Sequence, residues 1–301
     1  MNLESRIQII SIQTFGKRLE NLVNEINFNF IVIDEAHHVI APEYLKVLRK
    51  YPNVKILGLT ATPFLTKNEE WLGDVFSCRL KGPSVQELLD QNYLVPPVFI
   101  QSSVSRGMLG SKAAKCQSEM KMIVSRWKKK FANKKTLAFC IDINHASNLC
   151  KEFKLQGIEA QVLTGRLGKE ARDRLFEKSR SKELSVLCTV DVVSEGVDTT
   201  WIDCILLLRP TLSKSLFIQQ VGRGLRLYDG KECFIMLDEV GNVWKHGFVQ
   251  QYTATESEAE TLKVKIYECR NFENCYGLVP TKNERCFICW KKYGQKGASQ
   301  D

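Results

Sequence analysis

The sequence predicts an α/β chain of two parallel-sheet lobes, the first N-terminally truncated, followed by a small cysteine-bearing module. Three observations predict it. Short apolar runs rich in β-branched residues alternate with stretches of helical spacing, the pattern of strand–helix–strand units. Two acids, Asp34 and Glu35, stand directly after the first such run. Four cysteines fall within 21 residues near the end of the chain.

Residues 1–95 form the first lobe. The run Ile31-Val32-Ile33 suits a strand covered on both faces. Its acids fall at the strand's carboxyl end, where open α/β sheets bind ligands. An adjacent Asp and Glu there fit nucleotide hydrolysis: Asp34 can hold Mg²⁺ through water, and Glu35 can orient the attacking water. Residues 42–50 have helical spacing in Tyr44, Leu45 and Leu48, and residues 54–57 read as the next, parallel strand. Gly58-Leu59-Thr60-Ala61-Thr62-Pro63 follows it. Thr60 and Thr62 then sit at the same sheet edge as the acids, where their hydroxyls can bond to His37. Residues 85–92 read as a helix, and Pro96-Pro97 starts a connector.

Residues 96–250 form the second lobe. A helix over 112–131 carries Met120, Ile123, Val124, Trp127 and Phe131 at helical spacing. Its Lys128-Lys129-Lys130 end suits a solvated helix C-terminus better than a phosphate-facing patch. Strands over 136–141, 159–163, 184–188, 203–208 and 232–238 alternate with helices over 145–156, 168–179 and 214–221. The loop after residues 184–187 holds Thr189, Gly196 and Asp198. Gly196 allows close backbone approach to a ligand, and Asp198 can accept from a hydroxyl. In Gln219-Gln220-Val221-Gly222-Arg223-Gly224-Leu225-Arg226 the two arginines, three apart, read as one helical face. Their planar charged forks suit a γ-phosphate.

The order Asp34-Glu35-Ala36-His37, Thr60–Pro63, Leu137–Cys140, Ser194–Asp198 and Gln219–Arg226 resembles the superfamily 2 helicases over residues 1 to about 250. Through the strand end Leu207–Thr211, Val221–Arg226, Asp238–Phe248 and the cysteine cluster that follows, it is similar within them to the type III restriction-like branch and its RadD-type DNA repair helicases. The resemblance implies two RecA-like lobes with ATP and Mg²⁺ between them. It makes Asp34, Glu35 and His37 catalytic, with Thr60, Thr62 and Gln219 coupling nucleotide state to lobe movement. Arg223 and Arg226 become arginine fingers, and Gly196 and Asp198 approach the ribose. Gln13 and Thr14, within Ser11–Phe15, line a nucleic-acid track with Thr189, DNA being favoured over RNA.

The family's phosphate loop, G-x-x-x-x-G-K-[ST], is not found. Gly16-Lys17, Gly168-Lys169 and Gly230-Lys231 are followed by Arg18, Glu170 and Glu232. Three readings stay open: a truncated product, half of a split motor completed by a separate N-terminal fragment, or a non-catalytic nucleic-acid binder. The first two are preferred. A sheet without the loop-bearing strand would expose apolar face and edge.

The net charge of +9 suits an anionic partner. No apolar run is long enough to span a membrane, and residues 1–15 lack a signal-peptide pattern. Of the eleven cysteines, Cys140, Cys188, Cys204 and Cys233 lie in or beside strand-like runs, as small buried hydrophobes of a reducing cytoplasm do. Residues 251–301 read as a polar linker and a zinc-finger-like module. Cys269-x5-Cys275-x10-Cys286-x2-Cys289 has the ligand number and paired spacing of a tetrahedral Zn²⁺ site. The metal would supply folding energy that so few apolar residues cannot. Lysines and aromatics interleaved there either grip a phosphate backbone or pack around the zinc.

Overall fold

The computed structural model describes residues 5–25, 27–62, 72–101, 116–190, 198–252, 266–269 and 277–279. They fall into two compact units, the first within residues 1–82 and the second from Pro83 onward.

In the first unit, α1 (Ile12–Glu25), β1 (Phe30–Ile33), α2 (Pro42–Leu48) and β2 (Lys55–Gly58) follow one another. Pro42 stands in the first turn of α2, where its missing N–H costs nothing. β1 and β2 pair in parallel, from Phe30 opposite Lys55 to Ile33 opposite Gly58. Alternation sends Ile31, Ile33 and Ile56 to one face, where they pack with Tyr44, Leu48 and Phe76. Phe15 of α1, Phe28 and Tyr51 close the other end of that layer, with ring centroids 5.2 to 6.3 Å apart. The opposite face differs from the strand buried on both sides that the sequence suggests. Phe30, Val32, Leu57 and Leu59 are 42 to 53 % exposed there.

The second unit holds an eight-stranded sheet. Its strands are β3 (Pro97–Gln101), β4 (Thr136–Phe139), β5 (Ala160–Leu163), β6 (Val186–Thr189), β7 (Cys204–Leu207), β8 (Phe234–Asp238), β9 (Tyr267–Glu268) and β10 (Gly277–Val279). The order is β5-β6-β4-β7-β8-β3-β10-β9, parallel except for the last two. The helices are α3 (Val85–Asp90), α4 (Gln117–Phe131), α5 (Ile143–Leu155), α6 (Lys169–Arg180), α7 (Lys214–Leu225) and α8 (Asn242–His246). Ala138 and Cys188 turn to the face covered by α4 and α5. Leu137, Phe139 and Leu187 turn to the face with Phe176 of α6 and Phe217 and Val221 of α7. The five apolar residues expected on one face of α4 are all buried.

Three expectations need correction. The first unit ends near Gly82 rather than at 95: Ser84 caps α3 with Glu87 in a reciprocal box, and the Val95 N–H then donates to the Leu225 carbonyl at 2.8 Å. Pro96-Pro97 is not a connector, because Pro97 opens β3. Proline is tolerated as the first residue of a strand, and the Pro96 carbonyl still accepts from Phe234 N at 3.0 Å. The tail after 251 is not wholly separate either, since β10 pairs antiparallel with β3 and extends the sheet.

Candidate active site

In the first unit the acids lie at the carboxyl end of β1. Asp34 is exposed, and its Oδ1 accepts from Glu35 N at 2.9 Å. Glu35 takes the left-handed conformation, φ 49 and ψ 49. Two backbone bonds hold it there: Leu59 N donates to Ile33 O, and Ala36 N to Leu59 O, both at 2.8 Å. β2 and the segment after it thus clamp the turn that carries the acids. His37 Nδ1 lies 3.3 Å from Glu35 Oε2 and 3.0 Å from Thr60 Oγ1. Thr60 Oγ1 also accepts from Thr62 N at 3.1 Å, and Thr62 is buried. Asp34, Glu35, His37, Thr60 and Thr62 therefore form one constellation. A carboxylate, an imidazole and a hydroxyl in contact can relay a change at the acids to the strand end beside them. Asp34, a carboxylate at a strand's carboxyl end and open to solvent, suits a water-mediated Mg²⁺ contact.

Gln13 and Thr14 are exposed in the first turn of α1. Ser11 caps that turn, its Oγ accepting from Thr14 N at 3.2 Å. The 14-residue helix directs its N-terminal partial charge outward beside them, a position suited to phosphate oxygens.

The second unit carries the remaining candidates. Gln219 is half-buried on α7 and Arg223 is buried in its last turn. Arg226 is not on the helix face that spacing suggests. It is the C-cap, in extended conformation, and its backbone bridges Leu94. Gly224 is the reason the helix packs this deeply, for a Cβ there would stand 2.0 Å from the Phe234 ring. The guanidinium of Arg226 donates from Nη1 to Asp198 Oδ1 at 3.3 Å. Asp198 thus engages an arginine and Thr200 N, also at 3.3 Å, in an exposed setting. Thr189 departs most from expectation: it closes β6 with its side chain wholly buried, so it presents no exposed hydroxyl to a polynucleotide. Gly196 lies outside the described residues.

Sequence reading missed two groups. Asp238, buried at the end of β8, accepts from the N–H groups of Val240, Gly241 and Val243 at 3.2, 2.9 and 2.7 Å and builds the turn into α8. Burial raises its pKa, and those N–H groups oppose the rise. Lys231 hydrogen-bonds to the carbonyls of Thr200 and Arg226. Its only sequence signal is a lysine just before an apolar strand, which seldom means more than a solvated loop.

Cys140, just after β4, Cys188 of β6 and Cys204 of β7 are buried thiols as expected, whereas Cys233 is half-buried; burial pushes Cys204 up to about 12. Among the described residues no group of three His, Cys, Asp or Glu side chains could hold a metal. Of the four proposed zinc ligands Cys269 is described and buried, its N–H donating to Gly277 O at 2.7 Å. Cys275, Cys286 and Cys289 lie outside the described residues. Among the described residues no helix is long and apolar enough to cross a membrane.

Two family models match the chain. Residues 1–65 match the type III restriction enzyme res subunit, and residues 114–228 match the helicase conserved C-terminal domain. The first match contains the acid-bearing constellation and the second contains Asp198, Gln219, Arg223 and Arg226, in the order the motifs predict. The chain belongs to the superfamily 2 helicase family, related to the type III restriction-like enzymes. It is 31 % identical over 249 residues to the putative mitochondrial ATP-dependent helicase irc3 of Schizosaccharomyces pombe, covering 74 % of this chain and 40 % of that one. It is 29 % identical over 260 residues to the putative ATP-dependent helicase IRC3 of Saccharomyces cerevisiae, covering 79 % and 37 %. The chain thus spans about two-fifths of the length of these helicases. In fold it is similar to a fragment of a putative HsdR subunit of a type I restriction enzyme from Vibrio vulnificus, with a TM-score of 0.64, 24 % identity and coverage of 79 % of this chain and 50 % of that one. A point variant of Dbp5 of S. cerevisiae bound to RNA and ADP BeF3 shares the fold at a TM-score of 0.56 and 17 % identity, covering 81 % of this chain and 62 % of that one. A mixed α/β fold with a parallel-sheet RecA-like helicase domain is therefore shown for this chain.

Proposed function

We propose that the chain supplies the acid-bearing and arginine-bearing parts of an ATP-dependent DNA helicase or translocase, acting in DNA repair or replication. The observation that supports this most is the linked set Asp34, Glu35, His37 and Thr60, built on the clamp between β1 and β2. A non-catalytic protein has no use for a glutamate held in a left-handed turn against an imidazole. In this reading Asp34 holds Mg²⁺ through water, and the metal supplies neutralisation of phosphate charge. Glu35 orients and polarises the attacking water, while His37, Thr60, Thr62 and Gln219 pass the nucleotide state onward. Arg223 and Arg226 stabilise the γ-phosphate as charge builds, and Gly196 and Asp198 approach the ribose. Gln13 and Thr14 grip the nucleic-acid backbone. Likeness to restriction-enzyme subunits favours DNA. Cys269, Cys275, Cys286 and Cys289 form the zinc site, on the strength of four thiol donors. Free buried thiols suit a reducing compartment such as the cytoplasm.

One observation favours a second reading, a subunit that works only with a separate phosphate-loop partner. Among the described residues, β1 and β2 form a two-stranded sheet with the apolar side chains of Phe30, Val32, Leu57 and Leu59 exposed on one face. A patch of that kind asks for cover. ATP hydrolysis, measured with DNA, separates the readings. The 301-residue chain alone is expected to be inactive. With a phosphate-loop segment of a type III restriction-like helicase supplied, fused or in trans, DNA-stimulated turnover should appear. It should fall roughly 10³-fold or more in Arg223→Ala and be lost in Glu35→Gln. Turnover that survives Glu35→Gln would sink the catalytic reading, and none under any complementation would leave the binding role.

A further inference from the structure

Lys231 lies between α7 and β8, where the chain folds back beneath the end of α7. Its backbone N–H donates to Tyr228 O at 3.0 Å. Its Nζ donates to the carbonyl of Thr200 at 3.0 Å and to that of Arg226 at 3.2 Å. The ammonium also lies 5.9 Å from the Phe234 ring centroid. Lys231 is buried, and both of these acceptors are backbone carbonyls. Asp203 faces it as an opposing charge, Lys135 repels it, and Cys233 beside it weakly favours the charged form. The Asp203 carboxylate is itself engaged by Lys135 N at 3.1 Å. Burial wins, and the pKa of Lys231 falls to about 8.

A buried ammonium costs stability relative to an apolar side chain of similar shape. What it holds is informative. Thr200 is two residues from Asp198, and Asp198 is the partner of the Arg226 guanidinium. One ammonium therefore pins both backbones that carry that ion pair. We propose that Lys231 is a positioning residue that sets the direction of the Arg226 guanidinium by clamping the Asp198–Thr200 loop to the end of α7. This rests on the proposed role of Arg226 at a nucleotide phosphate.

The test uses Lys231→Met in the full chain. At pH 7 its melting temperature should equal or exceed that of the parent, because a buried charge has been removed. The Nε–Hε resonance of Arg226, assigned by its loss in Arg226→Lys, should move. In the parent it should titrate with a midpoint near 8, a titration that persists in Cys233→Ser and is abolished by Lys231→Met. In a complemented motor kcat should fall on the order of 10²-fold. The KM for ATP should hold, and no further loss should appear in an Arg226→Ala background. A lower melting temperature with an unmoved Arg226 resonance would make Lys231 a merely structural lysine and overturn the proposal. If the complemented parent hydrolyses no ATP, the proposed function fails by itself, and the resonance still decides the role of Lys231.

Discussion

At the scale of single residues, placement is legible in the sequence where a motif dictates local geometry. Glu35 is one such case. Its left-handed backbone costs on the order of 1 kcal/mol or more and persists because Ile33, Ala36 and Leu59 clamp the turn. Residue identity alone did not reveal Arg226, whose place depends on where α7 stops, or Thr189, which is buried where β6 lies between β4 and β5. His246 shows how a side chain outside the motifs shapes behaviour. It stacks on Phe217 at 5.1 Å, with Nε2 3.0 Å from Thr211 O. Burial holds its pKa below the ordinary value, outweighing the carbonyl, which acts the other way. Between its folded pKa and about 6.5 the unfolded chain binds the proton and the folded chain does not, so stability falls as pH drops through that range. The urea midpoint of the second unit should decline on acidification below about pH 6.5, and His246→Gln should flatten the decline. Asp238, with its raised pKa, acts with the opposite sign, so the comparison must be with the variant. An unaltered decline in His246→Gln would place the sensitivity elsewhere.

Among the elements, the strands and helices of the second unit follow from hydrophobic period, because each strand lies between two cores and each helix covers one. Pro97 was misleading. Proline reads as a breaker, yet a parallel strand can begin on it when its own N–H is not needed. The two glycines around Arg223 show a distinction that no spacing reveals. A Cβ at Gly222 would meet nothing within 4 Å, while one at Gly224 would stand 2.0 Å from the ring of Phe234. Gly222→Ala should therefore stabilise α7 by about 0.5–1 kcal/mol, through helix propensity alone. Gly224→Ala must push α7 off β8 or turn Phe234 out of the core, at a cost of about 1–3 kcal/mol. Denaturant midpoints of the pair check this, with opposite signs expected. Because Gly224 lies between Arg223 and Arg226, its variant should also lower turnover in a complemented motor, and Gly222→Ala should spare the arginine geometry.

For the whole molecule, the sequence reads an α/β chain of alternating strands and helices but sets the tail apart from it. The four cysteines dominate the reading of residues 251–301, and short strands such as β9 and β10 carry almost no periodic signal. Yet β10 covers the edge of β3, Leu278 joins the core on one face, and Val279 and Cys269 join the core on the other. Full burial of an aliphatic side chain contributes roughly 1.5–3 kcal/mol, so Leu278 and Val279 together stabilise the second unit by about 3–6 kcal/mol. A chain ending at Tyr252 should accordingly lose several kcal/mol and expose the edge of β3, a template for pairing with another copy. It should unfold at lower urea and associate with rising concentration, as sedimentation would show. If zinc ties Cys269 to the later cysteines, chelation should weaken the whole second unit in the same direction, in a single transition. An independent module would instead melt alone and leave the midpoint of the large sheet where it was. A truncated chain as stable and as monomeric as the parent would mean that β9 and β10 add nothing to the sheet they extend.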